Sequence, residues 1–229
     1  MSTLADETLS LHRDTSKSVD VNLIEGFRSD EWYVLNIQQT GFYRVNYDYE
    51  NWQRLTWQLH DDLTVIHVLN RAALIDDVFV LAKTGDVSYE IALGMSEYLH
   101  AEHDYIPWAS ALSHFDDLDR MIQSPEISGS LMTFIAEMIH DVYLKLGTTE
   151  KSGEELLAKY ARTVVIIWAC RVGIKNCLSS VRTMFTKMLY ENIPVDVNLQ
   201  SAVYCASLRS ATPESINHSC SFILIINGC

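Results

Sequence analysis

The stretch GFYRVNYD, residues 41 to 48, separates two parts of the sequence that differ in character. Ahead of it and within it lie two runs rich in β-branched and aromatic residues, 32–37 and 42–47, around a polar turn that ends in Gly41. Such a pattern is typical of a β-hairpin. After Asp48 the spacing of apolar residues becomes helical. We therefore expect this stretch to end a β-structure and to lead into a helical region.

From Asn51 onward the sequence has eight apolar-periodic segments of helical length. They lie near residues 50–60, 65–83, 88–102, 106–122, 129–146, 153–171, 175–191 and 198–210. Three of them end in a cation followed two positions later by Gly85, Gly147 or Gly173, which suits the helix dipole and a left-handed cap. Consecutive helices make units of about 40 residues, the size of HEAT or armadillo repeats. The pattern predicts a mainly α fold built as a stacked antiparallel array of helical hairpins.

The composition favours a folded protein and excludes some partners. The chain has 229 residues, 48% of them hydrophobic, and a formal net charge of -13. No run of lysines or arginines could follow a phosphate backbone, so nucleic acid is not an expected partner. The N-terminus lacks the regions of a signal peptide. The apolar runs 164–170 and 222–226 are far shorter than the ~20 residues of a membrane-spanning helix, so we expect no span or anchor in this sequence.

Few residues could carry catalysis or bind a metal. His100-Ala-Glu-His103-Asp104 contains two histidines, but their spacing differs from that of H-E-x-x-H, and we interpret the segment as a solvated helix end. No H-E-x-x-H, nucleophile elbow or glycine-rich phosphate loop occurs in the sequence. We predict no catalytic residue, no metal site and no cofactor in this chain. The aromatic residues in helical patterns are interpreted as core: Trp52, Trp57, Trp108 and Trp168.

Three acidic pairs, Asp61-Asp62, Asp76-Asp77 and Asp116-Asp117, raise the possibility of acid–base chemistry. At 100° per residue, Asp76 falls within an apolar helix face. That face is formed by Leu69, Ala72, Ala73, Phe79 and Val80. A carboxylate there needs a cation or backbone donors, since an unpaired buried charge is costly. We expect Asp76 to be buried and to tie helices together, with a catalytic role as the less favoured alternative.

The sequence resembles the zinc-dependent aminopeptidases that include aminopeptidase N, most closely the insect gut type. The first shared motif runs from Trp32 to Asn36 and from Thr40 to Asp48. Four others follow in the family's order: Leu69-Asn-Arg-Ala-Ala-Leu-Ile-Asp-Asp77, Ile106-Pro-Trp-Ala-Ser-Ala-Leu112, Ala169-Cys-Arg-Val-Gly-Ile-Lys-Asn-Cys177 and Val203-Tyr-Cys-Ala-Ser-Leu-Arg209. Together the motifs extend over about residues 30 to 212.

The resemblance implies a division into domains. Residues 1–48 would be the incomplete end of a β-sandwich domain that leaves a short β-hairpin, 49–212 a truncated C-terminal domain of helical repeats, and 213–229 a divergent tail. In the opening motif, Gly41 would permit a tight turn and the aromatics would fill the sandwich edge, while its last residues lead into the first helix. The residues with implied structural roles are Gly41, Tyr43, Arg44, Asn46, Tyr47 and Asp48.

The resemblance also implies a function. The family's zinc ligands and its substrate-amine-binding motif lie N-terminal to everything matched here, so this chain would be a non-catalytic C-terminal region, inactive alone, whose partner is the missing catalytic domain. In a complete protein, which holds zinc and is extracellular or membrane-associated, it would cover the active-site cavity and limit peptide access. An independent helical-repeat module or receptor-like surface that binds protein ligands is the alternative.

The cysteines give a further expectation. Cys170 would lie in the last turn of one helix and Cys177 in the first turn of the next, with Gly173 reversing the chain, so their Cα atoms come within the ~4.4 to 6.8 Å that a disulfide requires. The oxidising setting implied by the resemblance would preserve the bond, and two buried thiols are the alternative. In the family, the cysteine matching Cys205 pairs farther downstream, so Cys205 is expected to lack its natural partner.

Overall fold

The computed structural model describes residues 30 to 209, together with Ser18 and Arg28. Over this part the chain is mainly α-helical and has no strand. It divides into two compact units, Met1–Tyr98 and Leu99–Cys229. The predicted tail 213–229 and most of the predicted β-sandwich remnant therefore lie outside the described residues.

The first unit contains three described α-helices: α1 Tyr49–Asp61, α2 Val68–Thr84 and α3 Tyr89–Ser96. Short 3-10 helices lie at Ile37–Gln39 and Leu63–Val65, and another, Glu97–Ala101, follows α3. Helix α3 packs against both α1 and α2. The large side chains buried in this unit include Trp52, Leu55, Leu59, Ile75 and Met95.

The second unit contains five described α-helices: α4 Tyr105–Met121, α5 Pro125–Leu146, α6 Leu156–Arg171, α7 Lys175–Glu191 and α8 Gln200–Arg209. Helix α6 packs against α4, α5, α7 and α8, and is therefore the helix around which this unit is built. The buried side chains include Trp108, Phe115, Ile135, Ile139, Val165, Ala169 and Ala202. No single described helix is long and apolar enough to cross a membrane; α6 and α7 meet that test only as a pair bent by 110°.

Local side-chain chemistry explains where helices start. Asp48, Ser88 and Ser124 precede α1, α3 and α5, and each side chain accepts a hydrogen bond from the amide three residues later. This satisfies one of the donors that a helix start leaves without a partner. Pro125 then opens α5, where a missing N–H costs nothing, so the helix begins earlier than the sequence pattern predicted.

The predicted left-handed cap is confirmed at Gly85, which directly follows α2 with φ +86° and ψ +7°. Gly173, two residues beyond α6, has a positive φ of +87°. Gly147 directly follows α5 with φ +66°, but its ψ of −171° lies outside the left-handed helical region, so the predicted cap conformation is not found there. One predicted helix is shorter than expected, because the segment 88–102 forms α3 and then the 3-10 helix Glu97–Ala101.

The predicted packing of the tryptophans is wrong at one position. Trp52, Trp108 and Trp168 are buried, whereas Trp57 is 65% exposed. Helix α1 buries the face that carries Trp52, Leu55 and Leu59. Trp57 lies two residues past Leu55, which turns its side chain about 200° away from that residue and toward solvent.

The predicted β-hairpin is not found among the described residues. Residues 32–35 and 44–48 have no assigned secondary structure, and the 3-10 helix Ile37–Gln39 lies between them. Within the second unit, α5 contacts α6 and α7 contacts α8. The stacking of such pairs into a repeat array stays a prediction.

Arg171, at the end of α6, joins three helices of the second unit. Its guanidinium lies 2.5 Å from a carboxylate oxygen of Asp116 and 2.7 Å from one of Asp119, both on α4. Asp119 also accepts a hydrogen bond from the hydroxyl of Ser128 on α5. Asp116 therefore serves as an ion-pair partner between helices, which accounts for one of the acidic pairs in the sequence.

Arg162, a fully buried residue of α6, holds the connection between α5 and α6. Its guanidinium pairs with Glu154 and donates at 3.2 Å to the carbonyl of Leu146, the last residue of α5. Nearby, Glu150 pairs with Lys159 at 3.0 Å. Because an arginine fork bonds in two directions at once, Arg162 satisfies both a helix end and a carboxylate.

A disulfide between Cys170 and Cys177 joins α6 to α7, with the two Cα atoms 5.3 Å apart. The chain reverses between them through hydrogen bonds from the amide of Gly173 to the carbonyl of Cys170, at 3.2 Å, and from Ile174 to Ala169, at 2.9 Å. Cys205 is disulfide-bonded as well. The expectation that Cys205 lacks the partner it has in the family stays a prediction.

We expect replacement of both Cys170 and Cys177 by alanine to lower the free energy of unfolding by about 2.5 kcal/mol, because the unfolded chain loses a short closed loop. Urea denaturation without reductant measures the loss. With reductant present, the two proteins should differ by less than about 1 kcal/mol, since both then lack the bridge. Recovery of both residues as free thiols from protein secreted under oxidising conditions would contradict the assignment.

Candidate functional site at the entry to the helices

The entry segment, residues 32–48, is held by side chains of α1 and α2 rather than by a neighbouring strand. Asn51, which is fully buried, accepts a hydrogen bond from the amide of Tyr33 at 3.0 Å and donates to its carbonyl at 2.9 Å. A single side-chain amide thus satisfies both backbone groups of Tyr33. This pairing supplies what a strand partner would otherwise supply.

Asn36 closes the turn within the entry segment. Its amide nitrogen donates to the carbonyls of Gly41 at 3.0 Å and Tyr43 at 3.1 Å, and its oxygen accepts from the amide of Gly41 at 2.8 Å. A Cβ at position 41 would lie 2.2 Å from the ring of Tyr43. A side chain at position 41 would therefore have to displace the Tyr43 ring, whereas the backbone of Gly41 is not left-handed.

Asn70 on α2 holds the tip of the same turn. Its oxygen accepts from the amide of Gln38 at 3.0 Å, and its nitrogen donates to the carbonyl of Asn36 at 3.3 Å. Asn70 is buried in the first turn of α2, a mostly apolar helix. Its polar groups are satisfied by the entry segment, so the helix and the segment fix each other's position.

Residues 46 to 48 link the entry segment to α1. Asp48 caps α1 and also accepts a hydrogen bond from the hydroxyl of Tyr33 at 2.9 Å, while Asn46 accepts one from the indole of Trp52 at 3.1 Å. The ring of Tyr47 packs edge-on against Tyr33 and Trp52, at centroid distances of 5.5 and 4.9 Å. Burial raises the pKa of Tyr47, so it stays a neutral hydrogen-bonding phenol.

Arg44 joins the entry segment to the acidic pair on α2. Its guanidinium lies 2.6 Å from a carboxylate oxygen of Asp76 and 3.1 Å from one of Asp77. The second oxygen of Asp77 accepts from the amide of Val45 at 3.1 Å. The arginine and both carboxylates therefore form one cluster, which we call the Arg44 clasp.

The prediction that Asp76 is buried is wrong, because the buried carboxylate is that of the next residue, Asp77. The side chain of Asp76 is 38% exposed, whereas that of Asp77 is 13% exposed and receives both Arg44 and a backbone amide. The helical phase was misjudged because α2 is apolar nearly all the way round, so several phases fit its pattern equally well. The ion pair expected of Asp76 is present, and its partner is Arg44.

Burial is the largest influence on Asp77 and raises the pKa of its carboxyl to about 6. The amide of Val45 and the guanidinium of Arg44 act in the opposite direction and lower it. The neighbouring carboxylate of Asp76 raises it further. A carboxyl with such a pKa exchanges its proton in the mildly acidic range.

The segment from His100 to Asp104 has a structural use that the sequence did not reveal. Glu102 is buried, and its carboxylate accepts hydrogen bonds from the amides of His103 at 2.8 Å and Asp104 at 2.9 Å. Both histidines are exposed. Among the described residues, no group of three or more histidine, cysteine, aspartate or glutamate side chains could hold a metal ion.

Sequence reasoning missed Asn51, Asn70 and Asp77, three side chains of α1 and α2 that hold the backbone of the entry segment. Their signal is a polar residue on a helix face that is otherwise buried. Such residues need a partner in the fold, because a buried polar group without one is costly. In Leu69-Asn-Arg-Ala-Ala-Leu-Ile-Asp-Asp77 this signal was read at Asp76 and overlooked at Asn70.

Comparison with known proteins shows a family match and several related proteins. Residues 32–219 match the ERAP1-like C-terminal domain. Aminopeptidase N of Plutella xylostella is 34% identical over 197 residues, which make up 85% of this chain and 21% of that protein. Membrane alanyl aminopeptidase of Manduca sexta is 36% identical over 195 residues, and human aminopeptidase N 32% over 191. They cover 84% and 81% of this chain, and 20% of each relative.

These residues define an α-helical domain whose first helices bind a preceding segment through polar side chains, among them the Arg44 clasp. The chain belongs to the ERAP1-like C-terminal domain family, as the C-terminal domain of aminopeptidase N-like proteins. It spans about a fifth of the length of the curated relatives that it matches.

We expect Asp77→Ala to lower the free energy of unfolding by about 3 kcal/mol, because it leaves the amide of Val45 and part of Arg44 without an acceptor. Asp76→Ala, the matched control, should cost less than about 1 kcal/mol, since its ion pair is partly solvated. Urea denaturation at neutral pH measures both. If Asp76→Ala lowers the free energy of unfolding more than Asp77→Ala does, Asp76 and not Asp77 is the main link between α2 and the entry segment.

The raised pKa of Asp77 predicts a pH dependence. The folded state holds the Asp77 proton more tightly than the unfolded chain does, because the carboxyl has an ordinary pKa of 3.8 when it is unfolded. The contribution of Asp77 to the free energy of unfolding should therefore grow as the pH falls from about 7 to 4. Over this range, the free energy of unfolding of the wild type should rise by about 2 kcal/mol relative to that of Asp77→Asn. Hydrogen bonds from Thr64 lower the pKa of Asp62, so Asp62→Asn should show the opposite trend. A pH-independent difference between wild type and Asp77→Asn would contradict the prediction.

Proposed function

We propose that this chain is the non-catalytic helical region of an aminopeptidase N-like zinc peptidase, and that in a complete protein it covers the active-site cavity and limits peptide access. The observation that carries this proposal is the family match. It extends from the entry segment through α8, and the matching relatives are named as aminopeptidases and are about five times as long as the matched part.

The residues of this chain do not fit a zinc site. The sequence has no H-E-x-x-H, and the described residues have no cluster of metal-ligating side chains. We therefore assign no hydrolytic step to this chain. In the proposed role, the chain shapes the entrance to the cavity and supplies negative charge. Its net charge of -13 would attract the positively charged amino terminus of a peptide through long-range electrostatic interaction.

The same proposal covers the domain boundaries. Residues 1–48 end a β-sandwich, residues 49–212 form helical hairpins stacked as in HEAT or armadillo repeats, and residues 213–229 diverge from the family. The cap that Asp48 places on α1 supports the first boundary. The contacts of α5 with α6 and of α7 with α8 support pairing into hairpins.

The proposed setting is extracellular or membrane-associated. The disulfide between Cys170 and Cys177 suits that setting, because disulfides persist where the surroundings are oxidising. The proposed partner is the catalytic domain of the parent protein.

The test uses aminopeptidase N of Plutella xylostella in which residues 32–209 of this chain replace the matching segment. We compare it with the same enzyme lacking that segment, using alanine p-nitroanilide and a peptide of about ten residues that begins with alanine. Removal of the helices should raise kcat/KM for the peptide, relative to the anilide, by about tenfold, because only the peptide is large enough to be excluded. This chain alone, as a control, should hydrolyse neither substrate.

The comparison is meaningful where the shortened enzyme keeps its zinc and its activity on the anilide. An unchanged ratio of the two kcat/KM values would contradict the role in access and favour an independent binding module. Turnover by this chain alone, after removal of contaminating peptidases, would contradict the non-catalytic assignment.

A further inference from the structure

Cys205 on α8 takes part in a disulfide other than the one between α6 and α7. Cys170 and Cys177 are bonded to each other, and Cys205 is disulfide-bonded as well. The sequence has five cysteines, which leaves Cys220 and Cys229 as the candidates for its partner. Both follow residue 219, at which the match to the family ends. A bond to either of them would therefore join α8 to a part of the chain outside that match.

The position of Cys205 on α8 suits a partner outside the packed helices. Helix α8 packs against α6 and α7, and its buried residues include Ala202, Val203 and Ala206. At 100° per residue, Cys205 lies about 130° from the middle of this buried face. It is only half-buried. The side of α8 that carries Cys205 therefore does not face the corner between α6 and α7.

The chain that follows α8 is long enough to return to Cys205. Helix α8 ends at Arg209, about one helical turn after Cys205. Residues 210–219 then precede Cys220, and an extended chain spans about 3.3 Å per residue, so the sulfur of Cys205 is well within reach. The entropy cost of closing a loop rises slowly with its length. The longer loop to Cys229 is therefore feasible as well.

We propose that a disulfide from Cys205 to one of these two cysteines ties the tail, residues 213–229, to α8. This bond is not the one that the resemblance implies, because the family's partner for Cys205 lies farther downstream and both tail cysteines lie beyond the match. The tail would thus be covalently part of the helical region in oxidising surroundings, and a reductant would release it.

The chemistry of the bond is ordinary thiol–disulfide exchange. Each of the two thiols loses a proton and an electron as the sulfur–sulfur bond forms, and the electrons reduce the disulfide of an oxidant protein in the secretory compartment to its dithiol. This step rests on the extracellular setting of the proposed function, and it is independent of the role in peptide access. The tail cysteine that is not used keeps its thiol.

The test maps the disulfides of this full chain after secretion under oxidising conditions. The chain is denatured, its thiols are blocked, and it is digested with trypsin without reductant. Cleavage after Lys187 and Arg209 gives a helix peptide, 188–209, with Cys205, and a tail peptide, 210–229, with both tail cysteines. The two peptides should be recovered joined, and reductant should separate them. The undigested chain should run as a monomer on a non-reducing gel.

Three further measurements sharpen the assignment. Chymotrypsin cuts after Phe222, between the two tail cysteines, and therefore identifies the bonded one; either supports the proposal. The wild type should carry one blocked cysteine per chain, and it should lie in the tail peptide. Cys205→Ala should release the tail peptide, whereas alanine at both Cys170 and Cys177, the matched control, should leave it joined to the helix peptide.

Recovery of a blocked Cys205 from protein in which Cys170 and Cys177 are still bonded would overturn the proposal and leave the extracellular setting intact. A covalent dimer joined through Cys205 would also overturn it, in favour of a bond between copies. Blocking of all the cysteines would overturn both the proposal and the setting. Where Cys205→Ala is not secreted, the map of the wild type decides alone. Failure of the access proposal would appear in kcat/KM and not in these measurements.

Discussion

The backbone of the entry segment forms no strand among the described residues, and the structure of this region depends on how the polar groups of that backbone are satisfied. Asn51, Asn70 and Asp77 supply the partners from α1 and α2. Each of these side chains would be costly to bury without the segment, and the segment would leave its amides without acceptors in the absence of the side chains. The dependence is mutual, and it fixes the register of the segment against the helices.

A similar use of polar groups occurs in the second unit, where α6 is the shared element. Arg162 and Arg171 lie on α6 and form ion pairs with Glu154 and with α4, respectively. Apolar packing alone tolerates sliding and rotation between helices, whereas a guanidinium between carboxylates has one good geometry. These arginines therefore select one arrangement among the many that the apolar surfaces of the helices would allow.

The number of helices and the glycine cap of α2 could be predicted from the sequence, because both depend on residues close together in the chain. The position of Asp77 could not, since α2 has apolar residues on nearly every side and its pattern does not define one buried face. The absence of a hairpin also depends on distant residues: the runs 32–37 and 42–47 have the composition of strands, but Asn51 and Asn70 take the place of strand partners. The composition of a segment indicates that it can form a strand, but the residues that pack against it determine whether a strand forms.

The distribution of tryptophans has an optical consequence. Trp57 on α1 is exposed to solvent, whereas Trp108 and Trp168 are buried in the second unit, and the guanidinium of Arg171 lies 4.4 Å from the ring centre of Trp168. A collisional quencher such as acrylamide reaches Trp57 while the buried indoles stay shielded. Emission from the folded protein therefore contains an accessible component from the surface of α1 and a shielded component to which the core of the second unit contributes.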